Sequence, residues 1–113
     1  MKEKQMSTIT ATQYQAAACD TAIFPKETAL AYLTLGLTGE AGEIANKAKK
    51  IIRDGGNAEK RKEIGKELGD VCWYLAVLAD ELGMNLGQVM ENNLDKLADR
   101  KARGRLGGSG DNR

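Results

Sequence analysis

Apolar residues recur at helical spacing along most of the chain. From about Lys26 to Arg53, the residues Leu30, Leu33, Leu37, Ile44, Ala48 and Ile51 fall on one stripe, as in an amphipathic helix. A second stripe, Ile64, Leu68, Val71, Leu75, Leu78 and Leu82, marks another long helix ending at Leu82. Between them Asp54-Gly55-Gly56-Asn57 reads as a turn, with Asn57 as the N-cap of the later helix. So short a turn makes the two helices antiparallel neighbours. Upstream, Thr10 and Gln13 have the form of a capping box, which predicts a first helix through about Ile23 before Phe24-Pro25 breaks it. Downstream, Gly83 suits a C-cap, and Asn85 with Gln88 opens a fourth helix over about Leu86 to Ala102. No strand pattern is present. The expectation is an all-α, four-helix bundle-like single domain over residues 1–113. Residues 1–9 form a loose polar arm in this reading, and 104–113 form a tail too rich in glycine for a helix.

Composition narrows the function classes. A chain of 113 residues with 42% apolar residues and only 4% aromatics has a modest core of Leu, Ile, Val, Ala and Met. Burial against a partner enlarges such a core, so a homodimer or a homotetramer (a dimer of dimers) is expected. The net charge of +1 offers no global field for nucleic acid or an acidic membrane, and neither is expected as a partner. No apolar run approaches the ~20 residues of a membrane span, and no leader is evident, which points to a cytoplasmic protein. Cys19 and Cys72 show no metal-ligand spacing and read as buried free thiols. Histidine is absent. Ser-His-Asp and Cys-His catalysis and His-ligated zinc are therefore excluded, leaving carboxylates, lysines, arginines or a hard metal.

Two acidic pairs carry the chemistry: Glu40-Ala41-Gly42-Glu43 and Glu67-Leu68-Gly69-Asp70. Three residues apart on a helix is one turn along the same face. At 100° per residue, Glu40 and Glu67 sit roughly 60° off the centres of their apolar stripes, and Glu43 and Asp70 roughly 120° off. Antiparallel packing by those stripes brings all four to one rim, as a hard, oxygen-seeking cation needs. The alternative is a solvated acidic face. Lys47 at i+4 from Glu43 favours it by about 0.2–0.5 kcal/mol. On the third helix, however, Glu63, Glu67 and Asp70 share one face, and two carboxylates ~5 Å apart repel by roughly 3 kcal/mol at an effective dielectric near 20. A cation among them relieves that repulsion.

These elements, flanked as Gly39-Glu40-Ala41-Gly42-Glu43 and Lys66-Glu67-Leu68-Gly69-Asp70-Val71, resemble the MazG-type all-α nucleoside triphosphate pyrophosphohydrolases. The resemblance continues in Asn93-Leu94-Asp95-Lys96-Leu97-Ala98-Asp99-Arg100, similar to that family's N-x-x-K-L-x-x-R stretch, and in the closing Gly108-Ser109-Gly110-Asp111-Asn112-Arg113. It covers the chain from about Leu30 onward. It implies Mg²⁺, with Mn²⁺ as a substitute, held by Glu40, Glu43, Glu67 and Asp70. The implied reaction is hydrolysis of (d)NTPs between the α- and β-phosphates to (d)NMP and pyrophosphate, in nucleotide-pool housekeeping. Glu43 and Glu67 are the expected catalytic residues, with Glu43 accepting the water proton. Lys47, Tyr74, Asn93, Lys96, Arg100, Asn112 and Arg113 are the expected substrate contacts, and the tail is expected to close over the site. Lys50 and Arg53 continue the line of Lys47 and read equally as phosphate contacts or as solvated charge. Trp73 is expected to point away from the acidic flank, into a subunit interface. The alternatives are a relative restricted to phosphoribosyl-ATP or to dUTP/dCTP, and a non-catalytic helical interaction module.

Overall fold

The computed structural model describes residues 4–113; the first three residues of the expected arm lie outside the described residues. Among the described residues the protein is all-helical, with four α-helices and no strand: α1 (Ala11–Cys19), α2 (Ala29–Asp54), α3 (Ala58–Glu81) and α4 (Leu86–Ala102). A single 3₁₀ turn, Lys26–Thr28, leads into α2.

Local hydrogen bonding sets the ends of these elements. The Thr10 hydroxyl accepts from the Gln13 N–H, and the Gln13 side chain accepts from the Thr10 N–H, which completes the capping box. Asn57 and Asn85 cap α3 and α4 by accepting from the N–H groups of Lys60 and Gln88. At the end of α3, Gly83 adopts φ of 73°, and Met84 N donates to Ala79 O at 2.8 Å, closing a Schellman turn. The first helix stops at Cys19, short of the expected Ile23. Thr21 explains the difference: its hydroxyl donates to Ala18 O at 2.7 Å and accepts from Trp73 Nε1 at 2.8 Å, which turns the chain toward α3.

α2 and α3 form the antiparallel hairpin, α1 lies across α3, and α4 packs on α1 and α3 but not on α2. The core is small: Ala18, Ala29, Leu33, Ala76, Val77, Ala79 and Leu86 are buried. This departs from the stripe expected on α3. Leu68, Leu75 and Leu82 are 53%, 41% and 52% exposed, while Ala76, Val77 and Ala79 are buried. The small side chains of Ala76 and Ala79 let α1 approach through Ala18, so α3 buries the face turned to α1 and leaves its leucine row outside. The thiols differ too: Cys19 is half-buried, but Cys72 is exposed.

One buried polar side chain ties three helices together. Gln15 Nε2 donates to Ala76 O at 3.2 Å and Met84 O at 2.9 Å, and Gln15 Oε1 accepts from Leu86 N at 2.9 Å. α1 is thereby fixed to α3 and to the turn before α4.

The chain is open for its mass. Its accessible surface is 8,819 Å², against about 6,100 Å² for a compact protein of 12.2 kDa. Its radius of gyration is 16.9 Å, where a compact chain of this length has about 13 Å. No helix among the described residues is long and apolar enough to cross a membrane. Replacing Gln15 by Leu leaves two carbonyls and one N–H without their partner. The expected loss is about 2–4 kcal/mol of unfolding free energy, measured by urea denaturation. A change within 0.5 kcal/mol would show that the staple is dispensable.

Candidate metal centre

The α2–α3 hairpin holds one antiparallel register along its length. Gly36 meets Tyr74, Glu40 comes together with Asp70, and Lys50 and Lys60 line a common cavity. In the middle of this register, one carboxylate oxygen each from Glu40, Glu67 and Asp70 lies within 4.8 Å of the other two. Glu40 and Glu67 are half-buried, and Asp70 is exposed.

The electrostatics fit a cation site. The Glu40 carboxyl is raised above the ordinary glutamate value of 4.5, first through a hydrogen bond it donates to Glu67, then through partial burial and the charges of Asp70, Glu67 and Glu43. Three converging oxygen donors, one of them holding its proton more tightly than an ordinary glutamate, are an arrangement that a divalent ion relieves. Lys47 Nζ stands 4.0 Å from Glu67 Oε1, so this lysine turns to the third helix and not to Glu43. Glu43 is exposed and stands outside the group of three.

Beside the carboxylates opens a cleft of about 360 Å³ lined by Thr21, Glu40, Asp70, Trp73 and Tyr74. Tyr74 reaches it because α2 carries glycine opposite: a Cβ at Gly36 would overlap the Tyr74 ring. Burial, Tyr32, Glu40 and Asp70 all raise the Tyr74 hydroxyl, which stays protonated at neutral pH. Trp73 meets the Tyr74 ring edge-on, with centroids 5.0 Å apart. Contrary to expectation, Trp73 belongs to the acidic side, three residues beyond Asp70 on the same helical face. That spacing was the available signal. Nothing in the sequence marks Thr21 or Gly36, which depend on α1 and on the hairpin register.

The remaining expected residues lie elsewhere in the chain. Asn93 and Lys96 are exposed on α4, which does not touch α2. Arg100 is buried and donates through Nη2 to Asp111 O at 2.8 Å. Arg103 donates to the Arg113 main-chain oxygen at 2.9 Å, and Arg113 donates to Gly110 O. Asn112 is exposed. The tail therefore lies against its own α4.

Residues 27–104 match the family model of the MazG nucleotide pyrophosphohydrolase domain. The chain belongs to the MazG family. It is 52% identical over 109 residues to the Gene 37 protein of Mycobacterium phage L5, a match covering 88% of this chain and 96% of that protein. Over 72 residues it is 39% identical to the Uncharacterized protein YvdC of Bacillus subtilis (strain 168), covering 57% of this chain and 68% of that protein. No solved structure matches significantly. Metal dependence is general among MazG domains, and Glu40, Glu67 and Asp70 form an acidic cluster of the kind that can hold an ion.

Two outcomes follow from this geometry. Gly36→Ala gains helix propensity, worth up to about 1 kcal/mol, but forces the Tyr74 ring aside, which costs about 1–3 kcal/mol. The expected result is a lower Tm; a higher Tm would mean that the ring moves freely. The second concerns pH. A raised Glu40 carboxyl means that the native state binds a proton more tightly than the unfolded chain does. Its contribution is fully present below 4.5 and is lost as pH rises through the raised native value. In EDTA, Glu40→Gln is therefore expected to exceed the wild type in Tm at pH 7, with the gap closing toward pH 4. Equal Tm values at pH 7 would contradict the raised Glu40 carboxyl.

Proposed function

We propose that this protein is a Mg²⁺-dependent nucleoside triphosphate pyrophosphohydrolase that converts (d)NTPs to (d)NMPs and pyrophosphate. The observation that carries this reading is the convergence of Glu40, Glu67 and Asp70 beside a cleft walled by Trp73 and Tyr74. Three converging carboxylates suit a hard cation, and an aromatic wall suits a nucleoside. The phage and Bacillus relatives carry names that state no activity.

In this reading Glu40, Glu67 and Asp70 hold the ion, with Glu43 one turn away on α2. When bound, Mg²⁺ neutralises phosphate oxygens and lowers the pKa of the attacking water. Glu43, exposed and outside the group of three, accepts the water proton in this reading. Water adds across the α–β anhydride, the bridging bond breaks, and pyrophosphate leaves. Lys47 offers its ammonium group to the departing phosphates from beside Glu67. Tyr74 supplies a ring face and a hydroxyl donor to the base or sugar.

The enzyme acts as a homo-oligomer in this proposal. Leu68, Leu75 and Leu82 recur every seven residues on α3, and Met90, Leu94 and Leu97 form an exposed row on α4. The surface beyond that of a compact monomer, on the order of 2,700 Å², exceeds what a standard stable interface buries in total. Asn93 and Lys96 reach a substrate only if an α4 of another copy lies against the α2–α3 groove. Arg100, Asn112 and Arg113 join them only if the tail leaves its own α4.

A panel of NTPs and dNTPs, with product analysis, tests the activity. Monophosphate plus pyrophosphate is expected, abolished by EDTA and reduced at least about 100-fold in Glu67→Gln. Diphosphate plus orthophosphate would place the cleavage elsewhere. No turnover of any nucleotide, with Glu67→Gln indistinguishable from wild type in binding, would favour a non-catalytic helical module.

A further inference from the structure

A second cavity lies along the same hairpin, toward the Gly55 turn. It has a volume of about 120 Å³ and is lined by Lys47, Lys50, Ile51, Lys60 and Glu63. Three lysines and one glutamate are among its lining residues. Lys47 belongs both to this cavity and to the carboxylate group, since its Nζ stands 4.0 Å from Glu67 Oε1. The two sites are therefore continuous. Lys60 Nζ donates to Gly55 O at 2.9 Å, which holds it at the turn. The nearby Asp54 bonds Arg53 at 2.8 and 2.7 Å, and the charges of Lys60 and Lys50 also help hold its carboxyl below the ordinary value.

The order of features along the groove has a direction. Trp73, Tyr74 and Thr21 stand at one end, the carboxylates in the middle, then Lys47, and Lys50 with Lys60 at the other end. A nucleoside triphosphate has the same order: a ring system, a first phosphate, then a run of increasing negative charge. Along α3, Lys60 is seven residues from Glu67, about 10 Å by helix rise, and the long lysine stems cover much of that distance. Three lysines share this cavity with a single glutamate, Glu63, so its lining carries more positive than negative charge and suits an anion.

We propose that the lysine cleft of Lys47, Lys50 and Lys60 receives the two phosphates remote from the nucleoside and holds pyrophosphate after cleavage. Substrate thus lies along the hairpin with its base toward Tyr74 and its terminal phosphate toward Gly55. This rests on the pyrophosphohydrolase reading of the neighbouring site, and it assigns to Lys50 and Lys60 the preference for triphosphates over diphosphates.

The test uses inorganic pyrophosphate with Mg²⁺, and separately a nucleoside monophosphate, titrated calorimetrically into the full chain. Lys50→Gln is the primary variant because Lys50, unlike Lys60, makes no hydrogen bond that the fold uses; Lys50→Gln/Lys60→Gln is the second. Pyrophosphate affinity is expected to fall about 10-fold in the single variant and further in the double, with monophosphate affinity within twofold of wild type. The ratio of kcat/KM for triphosphate over diphosphate is expected to fall in parallel. Pyrophosphate affinity within twofold of wild type in both variants would overturn the proposal, as would no pyrophosphate binding by the wild type. Equal losses for pyrophosphate and monophosphate would also overturn it, since a directional site cannot produce them. Triphosphate turnover that persists in such a case would leave the pyrophosphohydrolase reading standing. Selective loss of pyrophosphate binding in a chain that hydrolyses nothing would keep the lysine site and sink the activity.

Discussion

Three like charges are held together in the middle of a two-helix hairpin, and much of the structure follows from keeping them there. Glu40 must meet Glu67 and Asp70 across an interface that mutual repulsion pushes apart. The register that opposes this repulsion is fixed at both ends of the hairpin. At one end Gly55, with φ of 86°, and the Asn57 cap make the turn. At the other, Gly36 admits the Tyr74 ring into close contact with α2. α1 buttresses α3 from outside through Ala18, Gln15 and the Tyr14 hydroxyl, which donates to Gly69 O at 3.4 Å beside Asp70. The repulsion shows in the Glu40 carboxyl, which is raised by its hydrogen bond to Glu67, by partial burial and by the neighbouring carboxylates.

Features that depend on neighbours in sequence were legible in the sequence. The Thr10–Gln13 box, the Asn57 and Asn85 caps and the Gly83 turn are satisfied within four residues, so spacing alone reveals them. The carboxylate pairs were legible for the same reason, because i,i+3 spacing fixes a common helical face. What failed depends on packing between elements. The α3 stripe was read from its leucines, yet α1 packs on the alanine side and leaves Leu68, Leu75 and Leu82 exposed. Glu43 shares a face with Glu40 and its charge helps raise the Glu40 carboxyl, but it is not among the three that converge within 4.8 Å. Trp73 was assigned outward, whereas Thr21 draws its indole to the acidic side. Gly36 carries no local signal, since its role is the ring it admits from another helix.

The open shape and the site belong to one design. A short chain with a six-residue core cluster among the described residues and exposed leucine rows can spend its buried face on holding a polar groove open. The groove is flanked by aromatic side chains at one end and lysines at the other, so its chemistry is graded along the hairpin axis. α4 and the tail stand apart from it within one chain, with Arg100 occupied by Asp111 O.

In the proposed function Glu40, Glu67 and Asp70 hold one divalent cation. Titration of the chelator-treated protein with Mn²⁺, with free ion followed by electron paramagnetic resonance, tests this without any substrate. Saturable binding that Mg²⁺ displaces is expected, weakened at least about 10-fold in Glu40→Gln and in Glu67→Gln. Mn²⁺ binding equal in wild type and both variants would contradict it, as would no binding at millimolar ion.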